Sequence, residues 1–185
     1  MKEQIGKVDK TIIDKNVNKI KEADIILMQL EIPIETVEYV CTIAKDKTII
    51  LDPAPAVSNL PNSIISCIDI MKPNETELGI LTNMSTTTLD EVLKAGQFLL
   101  EKGVGNIIIS LGEKGSILLN KEGHTCFPAI HVCAIDTTAA GDSFIAAVAL
   151  YLSQEHTLSE SIEFGTKVAA LSVQKEVSEG LQLRH

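Results

Sequence analysis

Short continuous apolar runs alternate along this chain with segments whose apolar residues recur at helical spacing. DIILMQLE at 24–31, TIILD at 48–52, CIDIM at 67–71 and GNIIISLG at 105–112 have the length of strands and little polar alternation. Such runs are expected where both faces of a parallel sheet are covered. Between the first two, PIETVEYVCTIAKD places Val37, Val40, Cys41 and Ala44 on one helical face, with Pro33 near the start, where proline is tolerated. Strand, helix and strand in that order form a βαβ unit.

The pattern continues. DKNVNKIKEA, after a polar lead-in, reads as a short helix, and PAPAVSNLPNS as a Pro-rich loop. KPNETELGILT is a loop turning into a helix. TTLDEVLKAGQFLLEKG is a longer helix with Thr88 as N-cap and Gly103 as its stop. KGSILLN and HTCFPAI, joined by the turn KEG, read as antiparallel strands. GDSFIAAVALYLSQ and LSESIEFGTKVAALSVQK are the last two helices. Elements alternating in this way predict an α/β layer fold with a mostly parallel sheet.

Charge and composition narrow the function classes. The 185 residues fit one domain, and 25 acidic against 16 basic residues give a formal net charge of -9. That balance disfavours nucleic acid and anionic lipid as partners, and 3% aromatic residues with no Trp leave no evident stacking platform. No apolar stretch approaches the ~20 residues of a membrane span, and the N-terminus has no apolar leader core, so a cytoplasmic location is expected. Cys41, Cys67, Cys126 and Cys133 have no CxxC spacing, and each is expected to pack as a small hydrophobe in a reducing compartment. His124, His131, His156 and His185 form no ligand set by spacing and are read as structural or solvent-facing.

Ligands of open α/β sheets bind beyond the carboxyl ends of the strands, which singles out Glu31, PNETE, SLGEKG and DTTAAGD. In DTTAAGDSF small residues let backbone N–H groups approach a ligand, and the following helix turns the positive end of its dipole toward it, an arrangement that favours phosphate. Asp142 beside such an anion fits a base that takes the proton of an attacking hydroxyl. The alternative is an ordinary helix-start aspartate behind closely packed alanines. Asn74 and Glu77 stand at i and i+3, where a carboxylate can hold a hydrated Mg2+, or where the two simply cap a helix. Ser110, Gly112 and Gly115 can border a nucleotide, and a tight hairpin turn accounts for the same glycines.

Taken in order, LMQLE, LDPAPA, KPNETE, SLGEKGS and DTTAAGDSF closely resemble the C-terminal part of ribokinases, within the PfkB family of carbohydrate and nucleoside kinases, over residues 20–175. The resemblance implies a three-layer, Rossmann-like ribokinase fold. It implies that Asp142 deprotonates the sugar hydroxyl that attacks the γ-phosphate of ATP, and that Ala139, Ala140 and Gly141 form the anion hole. Asn74 would approach the nucleotide phosphates, Glu77 would organise Mg2+ through water, and Ser110, Gly112, Glu113, Gly115 and Thr166 would border the nucleotide. Glu31 would hydrogen-bond the sugar. Asp136 and the Thr138 carbonyl resemble part of a monovalent-cation site, a K+ site left incomplete because Val177 and Leu181 stand where relatives carry glycine and serine. Thr166 occupies a place where asparagine is common.

Family members begin with a longer N-terminal half that carries the first strands, a small β lid and a Gly-Gly sugar-binding segment, none of which is present here. Residues 1–185 are therefore expected to form the C-terminal portion of a ribokinase-type domain. Three functions follow as expectations: ATP-dependent phosphorylation of D-ribose to D-ribose 5-phosphate, impaired by the truncation; a non-catalytic nucleotide-binding remnant or interaction module; or a related kinase for another sugar or nucleoside. Small-molecule sugar and ATP are the expected partners. An exposed sheet edge leads to the further expectation of instability or a homo-oligomer.

Overall fold

The computed structural model describes residues 8–132 and 139–174. The chain separates into two compact units, 1–128 and 129–185. In the first, helices α1 (Lys10–Lys15) and α2 (Val17–Glu22) lead into β1 (Ile25–Gln29), α3 (Ile34–Ile43) and β2 (Thr48–Asp52). There follow α4 (Asn62–Ile65), β3 (Ile70–Met71), α5 (Glu75–Thr82), α6 (Leu89–Glu101), β4 (Asn106–Ser110), β5 (Ser116–Asn120) and β6 (Gly123–Phe127). The strands lie in the order β1-β2-β3-β4-β5-β6, parallel from β1 to β4 and antiparallel from β4 onward.

Sequential parallel strands joined by right-handed crossovers place their connecting helices on one side of the sheet. The main core lies there, with Val37, Val40 and Cys41 of α3, Ile64 and Ile65 of α4, and Val92, Ala95 and Leu99 of α6 packed with Met28, Leu51, Met71, Ile107 and Ile109 of the strands. The alternate strand residues Ile50, Ile70, Ile108 and Leu118 are buried as well. This explains why the strands read as unbroken apolar runs. Each fully buried Ile or Leu side chain is worth about 1.5–3 kcal/mol relative to exposure, so the sheet holds much of the unit's stability. Gly96 lets α6 sit close to the sheet, since a Cβ there would lie 2.6 Å from Leu119 Cδ2.

In the second unit α7 (Ala140–Leu152) packs along α8 (Leu158–Ser172). Their approach depends on Gly165, where a Cβ would lie 2.8 Å from Val148 Cγ2 and 3.0 Å from the Phe144 carbonyl oxygen. Tyr151 stacks on both His156 and Phe164, at ring-centroid distances of 3.7 and 4.5 Å, which gives His156 a structural place.

The structure corrects four sequence readings. The polar lead-in contains α1, anchored by a Lys10–Asp14 ion pair of 2.8 Å and by the Tyr39 hydroxyl, which donates to Asp14. The Pro-rich loop ends in the single turn α4, too short to show helical periodicity. CIDIM supplies only Ile70 and Met71 to β3, because the Cys67 and Ile68 amides donate back to the Ile64 and Ile65 carbonyls and complete the preceding turn. The cysteines are not independent hydrophobes either: Cys41 and Cys67 are paired as a disulfide with Cα atoms 6.2 Å apart, and Cys126 is free and exposed. Cys133 lies outside the described residues.

Candidate active site

The four parallel strands end at one edge of the sheet, and the sequence-predicted residues of the first unit are found there. Glu31 sits in the turn after β1, exposed, and the neighbouring Leu30 amide donates to the Ala54 carbonyl at 2.9 Å, tying this turn to the PAPA segment. After β3, Asn74 is the N-cap of α5. Its Oδ1 accepts from the Glu77 amide and Glu77 Oε2 accepts from the Asn74 amide, both at 2.8 Å, a reciprocal capping box. The capping role weighed in the sequence is thus present. Asn74 also bridges to Ser110 at the end of β4, where the Ser110 amide donates to the Pro73 carbonyl at 2.9 Å. Asn74, Glu77 and Ser110 are brought together by this pairing.

Beyond Ser110, Gly112–Lys114 form a 3-10 turn into β5, with φ of +57° at Gly112 and +100° at Gly115. Side chains with a Cβ avoid that region, so the hairpin reading of both glycines holds. The turn presents exposed Glu113 beside half-buried Gly115.

Sequence reasoning passed over two residues at this edge. The β2–β3 register places Leu51 beside Met71, so the next residues, Asp52 and Lys72, leave adjacent strand ends together. Lys72 Nζ donates to Asp52 Oδ2 at 3.0 Å, with side chains 7% and 3% exposed. Asp52 Oδ1 and the Ser116 hydroxyl are buried without a partner among the described residues. The signal was available, since Asp52 stands in LDPAPA and Lys72 opens KPNETE, but only the register reveals that they meet.

In the second unit Ala139 is the N-cap of α7, with no side-chain hydrogen bond closing the cap, and Ala140, Gly141 and Asp142 form the first turn. α5, α6 and α8 are closed by capping boxes, whereas α7, like α2, α3 and α4, has no side-chain cap. An alanine cannot accept from the amides of the first turn, which leaves their side-chain capping position to another acceptor. Asp142 is exposed, and Thr166 in α8 donates its hydroxyl to the Ile162 carbonyl at 2.9 Å. Asp136 and Thr138 lie outside the described residues.

Residues 4–180 match the model of the pfkB family carbohydrate kinases. The chain belongs to this family. It is 37% identical over 163 residues to a deoxyribokinase of Salmonella typhi, covering 87% of this chain and 53% of that protein. It is 39% identical over 156 residues to a ribokinase of Staphylococcus aureus, covering 83% and 51%. The structure of Arabidopsis thaliana ribokinase complexed with ribose and ATP superposes with a TM-score of 0.83 at 33% identity, covering 88% of this chain and 54% of that one. The fold is therefore an α/β ribokinase fold represented in part, and the chain spans about half the length of these pfkB relatives.

Among the described residues no group of three or more His, Cys, Asp or Glu is placed to hold a metal, and no helix is long and apolar enough to cross a membrane.

Proposed function

We propose that this pfkB chain is the nucleotide-binding and phosphoryl-transfer part of an ATP-dependent sugar kinase whose substrate is a pentose, D-ribose in the first instance. The observation that carries the reading is the start of α7: a first turn of small residues without side-chain capping, followed by Asp142. The family match and the likeness to a ribokinase that binds ribose and ATP support it.

In this reading the sugar hydroxyl attacks the γ-phosphorus and the bond to the β-phosphate bridging oxygen breaks. ADP leaves, and the hydroxyl proton passes to Asp142. The amides of the N-cap Ala139 and of Ala140 and Gly141 face the charge that develops on the transferred group. Asn74 and Ser110 border the phosphates, Gly112, Glu113, Gly115 and Thr166 border the nucleotide, and Glu31 accepts from the sugar. Glu77, one of whose oxygens is used in the α5 cap, would hold a hydrated Mg2+ through water. When bound it neutralises phosphate charge. Asp136 and Thr138 remain the residues proposed for K+.

The choice of sugar has a second reading. A deoxyribokinase is as similar to this chain as the ribokinases are, which puts 2-deoxyribose beside ribose. A coupled assay of ADP release with ATP-Mg2+ separates the two. Higher kcat/KM on ribose supports the first choice, higher kcat/KM on 2-deoxyribose supports the second, and no sugar-dependent release from a chain that still binds ATP supports a non-catalytic remnant.

A further inference from the structure

The amino ends of the same strands carry a different chemistry. A cleft of about 590 Å³ opens there, lined by Cys41, Cys67, Lys45, Lys47, Glu38 and Asp69. Its two carboxylates are already engaged: Glu38 accepts from the Ser63 hydroxyl at 2.6 Å and Asp69 from the Ile49 amide at 2.7 Å. Lys45 adds positive charge, while Lys47 is paired with Asp46 at 3.5 Å. Ile49 is the second residue of β2 and Asp69 precedes β3, so the cleft sits at the opposite end of these strands from Asn74 and Ser110.

Cys41 and Cys67 differ in access. Cys41, on the buried face of α3, is 4% exposed, whereas Cys67 lies in the turn after α4 and is half-buried. Their Cα separation of 6.2 Å falls inside the range that a disulfide spans, about 4.4–6.8 Å. Two paired cysteines lining one cleft, one more accessible than the other, are the parts of a thiol-exchange centre.

We propose that Cys41 and Cys67 form a reversible dithiol–disulfide centre, exchanging through this cleft with low-molecular-weight thiols and disulfides of the glutathione class. On oxidation the Cys67 thiolate attacks a sulfur of the small disulfide, forming a mixed disulfide and releasing one small thiolate. The Cys41 thiolate then attacks the Cys67 sulfur, forming the Cys41–Cys67 bond and releasing the second. Two protein thiols are oxidised to one disulfide, one small disulfide is reduced to two thiols, and the two protons end on the small thiols. Reduction runs the same steps backward, with Cys67 as the sulfur retained in the mixed disulfide. The closed form ties α3 to the turn after α4; the open form releases that tie.

The test uses the full chain carrying Cys126→Ser and Cys133→Ser, equilibrated across ratios of reduced to oxidised glutathione, acid-quenched, denatured, alkylated and weighed intact. The expected result is one transition between a species with two alkylated thiols and a species with none, reversed by returning to excess reduced glutathione. Adding Cys41→Ser should trap one glutathione on Cys67, at least about tenfold faster than Cys67→Ser traps it on Cys41, as the difference in access requires. Two alkylatable thiols at every ratio would overturn the proposal, as would stable double adducts, a disulfide that resists reduction, or equal trapping rates. The titration changes neither cysteine of the pair, so it stands even if a single-cysteine variant fails to fold.

Discussion

The Asp52–Lys72 pair carries the largest single-residue consequence at the site. Two charges with side chains below 10% exposure are held by one bond of 3.0 Å, and Asp52 keeps a second oxygen without a partner among the described residues. Removing one member strands the other charge in a poorly solvated place, a change that costs about 3–5 kcal/mol. Lys72→Met and Asp52→Asn should each lower the urea midpoint accordingly, while the double change Asp52→Asn with Lys72→Met should recover much of the loss. Additive losses in the double variant would show that the pair is not coupled. Neither residue was legible as a partner in the sequence, because twenty positions separate them and only the parallel register of β2 and β3 brings them side by side. The Cys41–Cys67 pairing, between α3 and the turn after α4 and 26 positions apart, escaped in a similar way. By contrast, the reciprocal cap of Asn74 and Glu77 was legible, since its partners stand three positions apart.

At the scale of elements, local chemistry decided what could be read. TIILD was legible as a strand and is β2; Thr88 and Gly103 were legible as the ends of a helix and flank α6, with Gly103 at a φ of +115°. The short α4 and the curtailed β3 were not, because the amides of Cys67 and Ile68 are used by a turn that no periodicity announces. The α6 cap also makes a pH prediction. Glu91 accepts from the Thr87 and Ser85 hydroxyls and from the Thr87 and Thr88 amides, and these bonds, led by Thr87, lower its pKa from 4.5 to about 2. Glu160, bonded to the Thr157 hydroxyl and amide in the α8 cap, is lowered as well. A carboxylate with a depressed folded-state pKa stabilises above its unfolded value, and that contribution is lost as pH falls through the folded one. The melting temperature should therefore drop as pH falls from 4.5 toward about 2, and Glu91→Gln should flatten part of that slope. An unchanged slope in Glu91→Gln would contradict the role given to this cap.

For the molecule as a whole, the central fact is a pfkB chain spanning about half the length of its relatives. Among the described residues β1 pairs only with β2, and Leu27 on that strand is 39% exposed although its neighbours on β2 are buried. An unpaired edge strand with an exposed apolar side chain recruits further strands. Light scattering during size-exclusion chromatography should show concentration-dependent self-association, which Leu27→Lys should weaken; a monomer at all concentrations would rule this out. The proposed sugar-phosphorylating activity is also tested on the full chain. Its most direct test is sugar-dependent ADP release from ATP-Mg2+, measured for the wild-type chain and for Asp142→Asn, with ATP affinity followed by calorimetry. Loss of a general base predicts a fall in kcat of about 10²–10⁴-fold with ATP affinity retained. Sugar-dependent turnover that survives Asp142→Asn undiminished, or is absent from the wild type, would contradict the assignment of this chain as the phosphoryl-transfer part of a sugar kinase.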